Sequence, residues 1–241
     1  MEKARARQQQ VQDRAGARQA ARRGPGPVRN VTDPDSRLMP VRGGGFIQGY
    51  NAQNVTSSDG LIIATRLTAS TGDTAWFAPM MGAAAGAAAL IAAHRPGGPD
   101  PGGQAGGGIG LVLADAGYCS KANLTCAGPD RLIAVGKRRD LEKAARDQDQ
   151  DTSGQDWGGP AVQAMRERLK TEDGIAAYRQ RGHIAETPHG HIKHNMGFRQ
   201  LSMRGKAKAA AERTFACAVH NLFKALTAGH LTPQALAGLA G

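Results

Sequence analysis

An α/β fold, a mixed sheet with flanking helices, is predicted on three observations. Two β-prone runs meet at an Asp-Gly turn, Ser58-Asp59-Gly60. A short continuous apolar run, Ile109 to Ala114, sits between turn signals and ends at Asp115. Helical periodicity returns near the C-terminal end, over Lys206 to Thr227. With 40% hydrophobic and only 4% aromatic residues, the core must be aliphatic. Glycine, at 33 of 241 residues, is about twice its usual ~7% share, which fits a modest folded body with glycine-rich surface segments.

Residues 1 to 29 carry eight Lys or Arg against Glu2 and Asp13. Few apolar residues interrupt them, so the stretch reads as a basic, largely disordered arm. The first strand-like run spans Gly45 to Val55 and the second Leu61 to Leu67; the Asp-Gly between them is a strong hairpin signal. Asp73 stands where a helix N-cap would precede Thr74 to Ala93, an Ala-rich segment expected to be a buried helix. Its apolar part, Phe77 to Ala93, contains Pro79, Gly82 and Gly86 and falls short of the ~20 residues a membrane-spanning helix needs, so no membrane partner is expected.

Ile109 to Ala114 suits a strand buried on both faces. Ser120 can cap a short helix and Leu132 to Val135 supplies another buried strand, which together make a β-α-β unit with Asp115 at the end of its first strand. Crevices form at such strand ends, and carboxylates placed there serve chemistry. A cap near Ser120 is the plainer role for Asp115. The stretch 137 to 160 is polar and mixed in charge. Its Asp147, Asp149 and Asp151 lack the glycine and distal glutamate of a calcium loop, and it reads as a solvated insertion. Helical patterns follow at Ala161 to Lys170 and again after Thr171, whose neighbours Glu172 and Asp173 suit a helix start. On the last helix, Phe215, Val219, Leu222, Phe223 and Leu226 share one face.

A formal net charge of +11 points to a polyanionic partner, with nucleic acid first, because clustered cations release counterions from phosphate backbones. No aromatic platform of the kind that reads RNA is present. Cys119, Cys126 and Cys217 form no CxxC pair, which argues against a disulfide framework and fits a reducing cytoplasm. His183, His189, His191 and His194 match no four-ligand zinc spacing.

The most informative stretch is Tyr178 to Arg199. Between Tyr178 and Lys224 there are nine Lys or Arg and two acids, Glu186 and Glu212. A carboxylate among phosphate-binding cations is what metal-dependent DNA chemistry needs. If the chain is helical past Pro188, Glu186 and Lys193 face one side. A surface ion pair with Arg181 is the plainer role for Glu186.

Tyr178, Arg181, Glu186 and Lys193 resemble the signature of DDE-type insertion-sequence transposases, in which Tyr, Arg, Glu and Lys recur around the third catalytic acid. Six residues separate Glu186 from Lys193, as in that signature, and four separate Arg181 from Glu186, one more than in its commonest form. Asn30 to Arg37, Gln48 to Gln53, Ala114 to Tyr118 and Gly197 to Arg199 resemble further blocks of the same branch, in the same order.

The resemblance implies an RNase H-like fold over residues 30 to 227, followed by a short tail, 228 to 241. It implies that Asp115 is the second catalytic acid and Glu186 the third, both ligands of Mg2+ or Mn2+. Tyr178, Arg181, Lys193 and Arg199 would then bind phosphates. The partners it implies are transposon-end and target DNA, with a second copy or a full-length transposase, in the bacterial cytoplasm at the nucleoid. In that family the first acid lies in an Asp-Gly-Thr block upstream of the segment matching Asn30 to Arg37. This sequence has no Asp-Gly-Thr. The domain is therefore expected to be incomplete and the copy inactive, with Asp33 and Asp35 serving structural turns.

Overall fold

The computed structural model describes residues 30–41, 44–94, 108–136 and 159–229. The basic arm, most of the polar insertion and most of the tail lie outside these residues. The described part is a mixture of strands and helices, but its strands form three separate two-stranded ladders instead of the expected single mixed sheet.

Strand β1 (Arg37–Pro40) pairs antiparallel with β2 (Phe46–Gly49). Strand β3 (Asn51–Thr56) pairs with β4 (Ile62–Thr68) across the predicted turn. There Gly60 adopts φ +87° and its N–H donates to Ser57 O at 2.9 Å, a left-handed conformation that glycine reaches without penalty. The run expected as one strand from Gly45 to Val55 is thus divided at Tyr50 between two ladders.

A 3-10 turn (Thr74–Trp76) leads into α1 (Phe77–Ala93). The helix is continuous. Pro79 lies in its first turn, where backbone N–H groups have no intrahelical acceptor, so its missing N–H costs nothing there. The expected burial is not found, since only Phe77, Met80 and Ala84 are buried and Leu90 and Ile91 are 63% and 53% exposed. Together, the turn and helix give 20 residues, Thr74–Ala93, long and apolar enough to cross a membrane by length and composition alone. The expectation that the segment is too short for that is corrected.

The predicted β-α-β unit is present. Strand β5 (Val112–Ala114) runs parallel to β6 (Arg131–Ile133), with α2 (Lys121–Thr125) between them in sequence. The Ser120 hydroxyl caps α2 by accepting from Asn123 N–H at 3.1 Å. Both faces of the strand pair are covered. Leu132 packs with Val162, Met165 and Leu169 on one side, while Val112, Ala114 and Ile133 pack with Phe77 on the other.

Helix α3 (Gly159–Lys170) is followed by α4 (Glu172–Gly190), which the Thr171 hydroxyl caps through Gly174 N–H at 3.1 Å. A π-helical turn (His191–Asn195) continues α4, and α5 (Lys206–Thr227) closes the described chain. On the apolar face expected for α5, Phe215 (72%), Leu222 and Phe223 are exposed, and Val219 and Leu226 are half-buried. Ala209, Arg213, Ala216, Cys217 and His220 are buried instead. The physical reason is the contact with β4. Small residues let α5 approach the strand closely, and the Asn221 side chain donates to Ile62 O (2.9 Å) and accepts from Ile62 N–H (2.8 Å), as a neighbouring strand would.

Candidate active site

Asp115 leaves the end of β5 in extended conformation and caps the 3-10 turn Ala116–Tyr118, its carboxylate accepting from Gly117 N–H at 2.9 Å. Its side chain is exposed at this strand end. The plain capping role is met, at its own turn and not at Ser120.

A second acid stands opposite. Asp73 occupies the cap position before Thr74, yet its carboxylate makes no capping bond. It turns to β3, where it accepts from Asn51 Nδ2 at 2.7 Å and Gln53 Nε2 at 2.6 Å. A Cβ on Gly117 would lie 3.0 Å from an Asp73 oxygen and 3.1 Å from an Asp115 oxygen. The two carboxylates therefore flank one glycine.

Gln53 is 2% exposed, and its carbonyl accepts a hydrogen bond from the Tyr118 hydroxyl. Burial first, then the charges of Asp73 and Asp115, pushes the Tyr118 phenol well above its ordinary range, so it stays protonated and donates. Thr74 Oγ1 donates to Gly117 O at 2.9 Å, and the buried Asn123 amide donates to Thr74 O at 2.7 Å and Tyr118 O at 2.8 Å. The turn after Asp115 is thus tied to the segment after β4. Sequence reasoning missed this group, and the available signal was polar Asn51 and Gln53 alternating on a strand with one face inside.

Helix α4 brings its residues to the same strand. The Tyr178 hydroxyl donates to Ala114 O, next to Asp115, at 3.2 Å. The Arg181 guanidinium stands 5.8 Å from the centre of the Tyr178 ring, a cation-π arrangement, and pairs with Glu186 at 3.6 Å. Glu186 itself is 76% exposed. Its ion-pair role is met as well, in the screened surroundings where such pairs contribute little.

The helix does continue past Pro188, which is buried. Lys193, however, lies in the π turn, whose wider coil removes it from the phase of an uninterrupted α-helix. Lys193 and Arg199 are exposed, and among the described residues no ion pair joins either to Asp115 or Glu186.

Several of the histidines have polar partners. His191 and His220 meet through their Nδ1 atoms at 3.0 Å, and His220 Nε2 lies 3.0 Å from Gly60 O. His189 Nδ1 lies 3.3 Å from the Arg213 guanidinium. Burial first, then Arg213, Lys193 and His220, lowers the pKa of His189 to about 4.

Carboxylate oxygens are the right donors for Mg2+ or Mn2+. Their number is short, because among the described residues no three His, Cys, Asp or Glu side chains converge to hold an ion. Asp33 and Asp35 do not supply the shortfall. Asp33 accepts from the Tyr50 hydroxyl at 2.7 Å, and Asp35 accepts from Lys206 N–H at 3.0 Å at the start of α5.

The comparison with protein families bears on this region. Residues 138–226 match a family described as Transposase DDE domain. The match supports a DDE transposase and, with it, a role in transposition and a DNA partner in general terms. It spans Tyr178, Arg181, Glu186, Lys193 and Arg199; Asp115 lies before it. No curated protein and no solved structure matches the chain.

Proposed function

We propose that this chain is part of the catalytic domain of an insertion-sequence transposase of the branch with the Tyr, Arg, Glu, Lys signature, RNase H-like in fold. Asp115 is its second acid and Glu186 its third. The observation that carries the reading is the position of the transposase match. It covers the helix whose Tyr178 reaches the backbone beside Asp115, which supports a site built from the matched segment and the β-α-β unit.

The reaction class is in-line phosphoryl transfer on transposon ends and target DNA. Bound Mg2+ or Mn2+ would supply Lewis-acid activation of the attacking and leaving oxygens, with Asp115 and Glu186 among its ligands. The chain's own cations do the positioning. Tyr178, Arg181, Lys193 and Arg199 contact phosphates, which orients DNA without reading its sequence. Arg213, 6% exposed, is not available for that work.

A second reading is favoured by the short count of converging donors among the described residues. These 241 residues, tested by themselves, bind DNA without cutting it and can interfere with a full-length transposase. The deciding experiment incubates the chain with Mg2+ or Mn2+ and labelled DNA carrying the element's ends, over a salt series. Binding should weaken with salt by ~0.9 log units per log unit for each phosphate neutralised, with no cleavage. Cleavage abolished by Asp115→Ala and by Glu186→Ala would show that the chain completes its own site. Absence of salt-dependent binding would overturn the DNA-acting reading altogether.

A further inference from the structure

We propose that Asp73 is a positioning residue for Asp115, acting through Gly117 and held in place by Gln53 and Tyr118. The proposal rests on the catalytic reading of Asp115 only for its importance; the geometry stands without it. An aspartate before a helix is expected to cap that helix. Asp73 gives up this role, and its carboxylate takes two short amide hydrogen bonds from β3.

The polarity of the chain of bonds is set by Asp73. Its carboxylate can only accept, so the Gln53 nitrogen must face it, and the Gln53 oxygen then accepts from the Tyr118 hydroxyl. Gln53, at the centre of the chain, is almost fully buried, while Asp73 and Tyr118 at its ends are half-buried. Asp73 is thereby held against Gly117 on one side while Asp115 accepts the Gly117 N–H on the other. Thr74, the next residue, grips the Gly117 carbonyl. A shift of Asp73 would therefore be felt at the glycine and, through its N–H, at Asp115. Three elements distant in sequence, β3, the start of the Thr74 turn and the β5 end, converge on this one peptide.

The positioning role rests on Asp73 Oδ1, which two amide donors share, an arrangement that the carbonyl of an isosteric asparagine can reproduce. This gives the test its two variants. In Asp73→Asn one oxygen acceptor remains; in Asp73→Ala none does.

The measurement is amide hydrogen exchange of Gly117 by NMR on the full chain, with Leu132 and Ile133 amides reporting the core. Asp73→Ala should speed Gly117 exchange at least tenfold while the core amides stay within about threefold of wild type, and Asp73→Asn should restore Gly117 to within about threefold. Unchanged Gly117 exchange in Asp73→Ala would overturn the proposal, as would equal loss in both variants. If Asp73→Ala unfolds the chain, Gln53→Glu replaces it. That substitution removes the Nε2 donor to Asp73 and should speed Gly117 exchange tenfold; unchanged exchange overturns the proposal. A parallel titration with Mn2+ separates the two readings. Failure of Mn2+ to broaden Gly117 in the wild type counts against Asp115 as a metal ligand and leaves the exchange result to judge Asp73 alone.

Discussion

Asp115 and Glu186, the two acids of the proposed site, are held in opposite ways. Around Asp115, the Gly117 N–H donates to its carboxylate, and a buried glutamine beside this 3-10 turn links Tyr118 to a second acid, Asp73. Glu186 projects from α4 and touches one guanidinium at 3.6 Å. The contrast separates two physical ways of placing a carboxylate. One fixes it before any ligand arrives; the other leaves it free to turn toward a ligand at the expense of side-chain entropy. Pre-set geometry belongs to Asp115 and adaptability to Glu186.

The sharpest way to break this comparison is at Gln53. Gln53→Ala removes both links of a buried relay, leaving the Tyr118 hydroxyl and an Asp73 oxygen short of partners, and should cost about 2–4 kcal/mol in urea unfolding. A loss under about 0.5 kcal/mol would mean that the Asp115 side is no more fixed than Glu186.

The pH response tests the α4 end. His189 is held neutral, with its folded pKa near 4, below the ~6.5 of an unfolded chain. The unfolded state therefore binds the extra proton first. Stability is complete above about pH 6.5 and falls as pH drops toward 4, by an amount on the order of 2 kcal/mol. Thermal melts between pH 7 and 4.5 should show the decline, and His189→Gln should flatten it.

Gly117→Ala sharpens the comparison from the Asp115 side. The new methyl would meet two carboxylates at 3.0 and 3.1 Å, and the needed shift should cost about 1 kcal/mol. The stability effect should come with altered exchange at Tyr118. The smallest effect belongs to Glu186→Gln. An exposed pair of this kind is worth at most ~0.5 kcal/mol, so unfolding should be almost unchanged while any divalent-ion binding weakens.

Much of this division was legible in the residues. The Asp-Gly turn, the Ile109 to Ala114 run and the caps at Ser120 and Thr171 are local signals, and local structure followed them. Asp115 was placed correctly at its strand end for the same reason. Asp73 was noticed, but as a helix cap, because its true partners Asn51 and Gln53 lie on a strand that periodicity marks only as half-buried. The face that α5 buries is not its most apolar one. Hydrophobic periodicity favoured Phe215, Leu222 and Phe223, whereas close approach to β4 selected Ala209, Ala216 and Cys217, and polar Asn221 matched the strand's backbone groups. Strand β1, only four residues long and ending in Pro40, carries too short a pattern to read.

The apolar stretch of α1 sets a condition on handling the molecule. Leu90 and Ile91 face solvent on a helix with no charged residue along its length, so mutual repulsion between copies must come from the +11 charge carried elsewhere. Salt shortens the reach of that repulsion to ~10 Å at 0.1 M and ~3 Å at 1 M. Apolar contact is not screened in this way. The same salt that strips DNA from the protein therefore lets copies of it meet helix to helix, and a salt titration of binding becomes a titration of colloidal stability as well. Light scattering recorded across the series tells the two apart.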